Sequence, residues 1–235
     1  MPPTTELTIY KLKDEMLNRL RSAINSYDSQ SRVTETTSTF TATAGQTNFL
    51  LSTTTLSYVK SVTVNSTSLK YITDYDINWR GTNAGYVTLV NGATVGQTVI
   101  IVWGSRTTGR TNFVYPDWPQ ASLGITEYPR VGFEMTVSSS PGGGGGNLKY
   151  VVKNSVLIQI KVVDVDTYNI DLTITAIRDF ILQNLKNFYY MNYIEPQSIQ
   201  NYDTYRDNIN ETNYKIIEFI APSKFEIVTL NQNGA

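Results

Sequence analysis

The chain predicts an α+β fold: an N-terminal helix, a small antiparallel β-sandwich or barrel module, and a C-terminal mixed sheet packed on one long helix. Three observations carry this. Apolar residues recur at helical spacing around residues 9–27 and again from about Tyr168. Between those stretches, short alternating runs are separated by turn residues, the pattern of antiparallel strands. A chain of 235 residues is also long enough for a full core with an added module.

In the first segment, residues 1–39, Leu12, Met16, Leu20, Ala23 and Tyr27 fall on one side of a helix, with Leu17 and Ile24 beside them. Lys11, Lys13, Asp14, Asn18, Arg19 and Arg21 point elsewhere. The apolar stripe must be buried, either on a later domain or on a neighbouring subunit. Residues 29–39 read as polar linker. Residues 40–103 form an all-β module with strands over 59–64, 69–71, 75–79, 86–90 and 99–103. Turns are expected at 65–68, at 81–85 and at Asn91-Gly92.

Residues 104–130 are a connector. Pro116 and Pro119, around Trp118, favour an extended path, while Phe113, Tyr115, Trp118 and Tyr128 make it too aromatic for a free linker, so it is expected to lie pinned along a surface. Residues 131–235 form the α+β part. A strand at 131–137 leads to a Pro- and Gly-rich loop at 138–147. Residues 148–163 supply one long strand or two joined at Lys153-Asn154-Ser155. A helix follows with Ile170, Ile174, Ile177, Ile181 and Leu185 on one face, capped by Asp166 or Thr167. Strands at 214–220 and 224–230, joined at Ala221-Pro222-Ser223, read as a terminal hairpin.

Composition excludes much chemistry. With no Cys and no His, there is no thiol nucleophile, disulfide, thiolate metal site or histidine base. The 19 Lys+Arg against 20 Asp+Glu leave a net charge of −1, without the dense basic face that duplex DNA requires, so at most non-specific contact with DNA is expected. The charged fraction, 17%, lies below the ~25% of ordinary soluble domains, and Thr, Ser and Asn replace it. No secretion signal and no membrane span are expected. The Asn-x-Thr triplets at Asn65 and Asn210 read as chance in a chain rich in both residues.

The individual candidates point the same way. The glycines from Gly142 to Gly146, with Gly142, Gly144 and Gly146 as contact candidates, lack the Lys-Ser/Thr of a phosphate loop and lead into a strand. They suit either a loop ordered against a neighbouring molecule or an idle tip. Asp164, Asp166 and Asp171 lack the glycine and terminal Glu of a Ca²⁺ loop and read as helix-start acids. Glu127 and Glu134 are weighed as a glycosidase pair and set aside, because Glu134 sits where a strand turns a side chain outward. No metal, no cofactor and no enzymatic activity are expected. Arg106, Arg110 and Arg130 bracket the connector. Lys149, Lys153 and Lys161 are candidate channel-facing residues, with ordinary surface charge as the alternative. Tyr115, Trp118, Tyr189, Tyr190, Tyr193, Tyr202 and Tyr205 are candidate inter-subunit contacts, since Tyr and Trp are frequent interface anchors.

Two stretches carry a family resemblance. Phe40-Thr41-Ala42-Thr43-Ala44-Gly45-Gln46-Thr47-Asn48-Phe49, Val62-Thr63-Val64-Asn65, Asp74-Tyr75-Asp76-Ile77, Val87-Thr88-Leu89 and Gly96-Gln97-Thr98-Val99-Ile100-Ile101-Val102 resemble a β module of tailed-bacteriophage virion proteins. Ser66 departs from that pattern where the turn glycine is usual, and Gln97 where an Asp is usual. The strand, loop, strand, helix, strand, strand order after Tyr128-Pro129-Arg130-Val131, with Val156-Leu157-Ile158-Gln159-Ile160-Lys161-Val162-Val163-Asp164 before the helix, is similar to tail-terminator and tail-completion (head-tail joining) proteins. The resemblance implies a non-enzymatic structural protein of the virion neck or upper tail, assembled in the host cytoplasm. It would form a ring, usually a homo-hexamer, that meets the tail tube and a head-completion or adaptor protein. It leaves open a head-tail connector docked on the portal through the N-terminal helix, or a baseplate or fibre adaptor binding another virion protein or a host receptor.

Overall fold

The computed structural model describes residues 5–78, 85–118, 127–145, 149–184, 200–201, 203–207, 211–222 and 227–229. They divide into two units, one of Lys13–Tyr115 with Pro119–Arg130, the other of Met1–Leu12, Pro116–Trp118 and Val131–Ala235. The fold is α+β, with an N-terminal helix, two antiparallel sheets and a third sheet accompanied by a second helix.

The first unit takes the later turns of helix α1 (Thr5–Ile24) and a 3-10 turn at Asn25–Tyr27. Strands β1 (Val33–Thr41), β2 (Gln46–Leu50), β3 (Leu56–Val64), β4 (Thr67–Ser68), β5 (Tyr75–Asn78), β6 (Tyr86–Ala93), β7 (Thr98–Arg106) and β8 (Val114–Tyr115) follow. The first seven form sheets of order β1-β7-β3-β4 and β2-β6-β5. Alternate residues of both sheets, among them Phe49, Val62, Val87, Ile101 and Trp103, make one buried cluster. The buried Trp103 indole N–H donates to Ser38 Oγ at 2.9 Å, so this large ring enters the core without stranding its donor.

Three expectations change here. Residues 33–39, expected as linker, belong to β1, which pairs without interruption along β7. The strand carries no hydrophobic alternation because it is an edge, mostly exposed; backbone pairing and β-branched Thr hold it there. Asn91-Gly92 lies inside β6 at an irregular register with β2, and the reversal falls at Thr94–Gln97, closed by the Gln97 N–H to Thr94 O bond at 3.2 Å. Residues 69–71 contribute only a single bridge, Tyr71 to Tyr75.

The expected turn at 65–68 is a two-residue hairpin, with Val64 opposite Thr67 and both Asn65 (φ 46) and Ser66 (φ 67) left-handed. Such turns require positive φ at both central positions, where a side chain is strained. Ser66→Gly is therefore expected to stabilise the unit by about 0.5–1 kcal/mol, read as a higher midpoint in urea. An unchanged or lower midpoint would show that Ser66 carries no strain.

The second unit contains β9 (Arg130–Gly145), β10 (Lys149–Asp164), α2 (Thr167–Asn184), β11 (Gln200–Asn201), β12 (Tyr205–Asp207), β13 (Thr212–Pro222) and β14 (Ile227–Thr229). Its strand order is β11-β13-β10-β9, with β12 on β13 and β14 on β10. Residues 148–163 thus give one strand, not two. The expected loop at 138–147 is mostly strand, since β9 continues through Gly142 and Gly144; a glycine in extended backbone joins a ladder despite its entropy cost. The expected terminal hairpin does not form. β13 and β14 both run antiparallel to β10, Pro222 opposite Ser155 and Ile227 opposite Val151, so they succeed one another along the same edge.

Helix α2 begins where Asp166 Oδ1 accepts the Tyr168 N–H at 2.9 Å, an N-cap worth about 1 kcal/mol. Ile170, Ile174, Ile177 and Ile181 form its buried stripe, each contributing about 1.5–3 kcal/mol by burial. The helix packs on β10 and β13. Leu185, expected on the same stripe, lies outside the described residues.

Candidate functional site

The alternation of β10 decides what the second unit offers. Val156, Ile158, Ile160 and Val162 are buried on one face, opposite Ala221, Phe219, Ile217 and Lys215. Lys215 Nζ reaches Asp171 Oδ1 of α2 at 2.8 Å, which marks this as the helix-covered face. The intervening residues, Leu157, Gln159 and Lys161, are only half-buried and stand on the opposite face with Ile220, Glu218 and Ile216. There Gln159 Nε2 donates to Glu218 Oε1 directly across the ladder.

On that second face Lys161 lies between two rings, its Nζ 4.1 Å from the Tyr214 ring centre and 5.0 Å from that of Trp118. Tyr205 stacks on Tyr214 at 5.5 Å between centroids and 23° between planes, and remains 47% exposed. A cation held over aromatic faces contributes about 0.5–2 kcal/mol and fixes ring orientation. The arrangement is an aromatic platform around one cation. It contains no nucleophile paired with a base, and its chemistry is that of recognition by stacking and burial.

Of the residues singled out from sequence, the structure brings Trp118, Lys161 and Tyr205 onto this one surface. Tyr115 belongs to the other unit, half-buried in β8, its hydroxyl without a hydrogen-bond partner. Lys149 opens β10 opposite Thr229 and Lys153 is further along the same strand. Gly146, Tyr189, Tyr190, Tyr193 and Tyr202 lie outside the described residues. The three aspartates have separate tasks: Asp164 is buried, with Oδ1 accepting from the Asp166 N–H, while Asp166 caps α2 and Asp171 pairs with Lys215. Among the described residues no group of three or more acids could hold a metal ion. Glu134 is exposed in β9, as its alternation requires, and Glu127 is engaged with Arg32. Among the basic residues of the connector, Arg110 donates to Gln30 O, and Arg130 is buried with its guanidinium over the Tyr128 ring at 4.4 Å.

The polar residues that hold the first unit together were not singled out. Asn18 and Arg21, expected on the outer side of α1, are buried against β3. The register of β3 on β7 slips between Leu56 and Tyr58 and again between Val59 and Ser61, and the helix supplies partners for backbone groups there. Asn18 Oδ1 accepts the Val59 N–H at 2.7 Å and its Nδ2 donates to Val59 O at 2.8 Å. Arg21 donates to Ser57 O at 3.0 Å and, through Nε and Nη2, to Val114 O at 3.0 and 2.9 Å. Burial pulls the Arg21 pKa down to about 10, partly offset by Tyr115 and Asp14, leaving it charged at neutral pH. Burial, reinforced by Glu35, pushes the Tyr58 phenol well above its ordinary value; its hydroxyl donates to Glu35 Oε2 at 3.1 Å.

Arg32 is the second such centre. Fully buried, it donates to Pro129 O at 2.8 Å and Tyr128 O at 2.7 Å, with Nε 3.2 Å from Glu127 Oε2 and 3.7 Å from Asp28 Oδ1. Arg32 thereby holds the end of the connector through its backbone carbonyls. The only sequence signal for either centre is a polar residue inside or beside an apolar period, which is ambiguous until the partner backbone is known. No helix among the described residues is long and apolar enough to cross a membrane. Comparison of the chain with protein-family models, curated proteins and solved structures finds no match.

Proposed function

We propose that the protein is a structural, non-enzymatic subunit of a tailed-phage virion at the neck or upper tail. In this reading it is a terminator or completion protein whose copies close into a ring, six in number, between the tail tube and the head. The observation that carries the reading is the two-faced sheet of the second unit. One face is sealed by α2 and the other carries Trp118, Lys161, Tyr214 and Tyr205, an arrangement suited to contact between protein subunits. The motif resemblance of the β module and the absence of Cys and His support it. The portal-docking alternative receives less support, because Met16, Leu20 and Ile24, the stripe it would use, are already buried within the chain.

Mass photometry and negative-stain imaging, on the protein alone and mixed with tail tubes, test the proposal. Closed rings with a central hole are expected, and a double Trp118→Ala, Tyr205→Ala variant is expected to lower ring yield several-fold while leaving the circular dichroism spectrum unchanged. Stable monomers or trimers in the presence of tubes would overturn it.

A further inference from the structure

The outer edge of β1 is a nine-residue strand margin that no described strand pairs. Its polarity follows from two bonds at its ends. The Thr107 N–H donates to Arg32 O at 2.7 Å and the Ala42 N–H donates to Gln97 O at 2.8 Å. In the uninterrupted register between them, even-numbered residues therefore bond to β7, and Val33, Glu35, Thr37, Thr39 and Thr41 turn their N–H and C=O groups outward. Exposed edges are ordinarily blunted by Pro, Lys or a bulge, and β1 has none of these.

We propose that this edge pairs with the same edge of a second copy of the chain, antiparallel about a two-fold axis at Thr37. The strand is self-complementary in that register. Thr37 meets Thr37 of the other copy, Thr36 meets Ser38, Glu35 meets Thr39, Thr34 meets Phe40 and Val33 meets Thr41, so every outward N–H and C=O finds its counterpart. Cross-strand Thr pairs are favourable. The single charged residue, Glu35, stands about 14 Å from its copy, beyond the ~8 Å screening length of physiological salt, and its carboxylate is already held by Lys60 at 3.0 Å. The sheet of the first unit would thus continue from one copy into the next. This contact is isologous and independent of the ring reading, since it uses a different surface of a different unit.

The absence of native Cys makes the register directly testable. In the 235-residue chain Thr37→Cys is expected to cross-link into a covalent dimer with diamide, because the paired Cα atoms would be about 5.5 Å apart, within disulfide reach. Glu35→Cys, whose copies would be too distant, is expected not to. Thr37→Pro removes one outward N–H while sparing the β7 ladder, and is expected to weaken the dimer at least tenfold in sedimentation equilibrium with an unchanged circular dichroism spectrum. The proposal is overturned if the wild-type chain stays monomeric at high concentration, if cross-linking does not depend on position, or if the edge takes up an extended segment of another protein instead of its own copy. A ring closed through the second unit would survive Thr37→Pro, so loss of this contact and failure of the ring reading give different results.

Discussion

Arg32→Ala is expected to destabilise the first unit by about 3–5 kcal/mol, the cost of breaking a buried ion-pair centre by removing one partner. The substitution removes the cation beside Asp28, whose fully buried carboxylate then keeps only its bonds from the backbone N–H groups of positions 30 and 32, and it leaves the Pro129 and Tyr128 carbonyls without their donors. Glu127 retains one role, since Thr111 donates to it through both its N–H at 3.2 Å and its hydroxyl at 3.0 Å. Thermal denaturation is expected to show the midpoint falling by roughly 10 °C or more. Arg32→Lys should recover only part of the loss, because one ammonium cannot reproduce a fork that reaches two carbonyls and a carboxylate together. A drop below about 1 kcal/mol for the alanine variant would be the size of an exposed pair and would refute the structural role given to Arg32.

Asn18→Leu is expected to cost about 2–3 kcal/mol, because it removes two buried hydrogen bonds and leaves the Val59 N–H and C=O without partners. The side chain is similar in volume and apolar, so the loss is one of satisfaction rather than of packing. Urea denaturation gives the magnitude and hydrogen exchange gives the cause. The Val59 amide should exchange much faster in the variant, while amides in the middle of the β1–β7 ladder keep their protection. If Val59 stays protected, another group has taken over the role of Asn18. Because Asn18 is uncharged, the penalty should also be insensitive to salt.

Sequence pattern alone was sufficient wherever one face of an element is buried and the other wet. The stripe of Ile170, Ile174, Ile177 and Ile181 in α2, the alternation of Val156 to Val162 in β10 and the outward Glu134 are all readable from period. The pattern was silent where burial is not what holds the element. The Thr-rich β1 is an edge with little to bury, and the glycines of β9 have no side chains to alternate. The pairing of β14 with β10 instead of β13 depends on a partner distant in sequence.

For the candidate site, composition determined that no thiol or imidazole chemistry is available, and residue type marked Trp118 and Tyr205 as candidates for contact and Lys161 as a candidate channel-facing cation. Only the tertiary structure decided that these three share a surface with Tyr214, because the sheet brings β10, β12, β13 and the connector together from separate parts of the chain. It likewise decided that Asn18, Arg21 and Arg32 are internal. A polar side chain is driven inward only by the particular backbone groups it satisfies there. Hydrophobic period is a local property of the sequence, whereas hydrogen-bond satisfaction at a strand irregularity or a connector end belongs to pairs of segments and exists only once they have met.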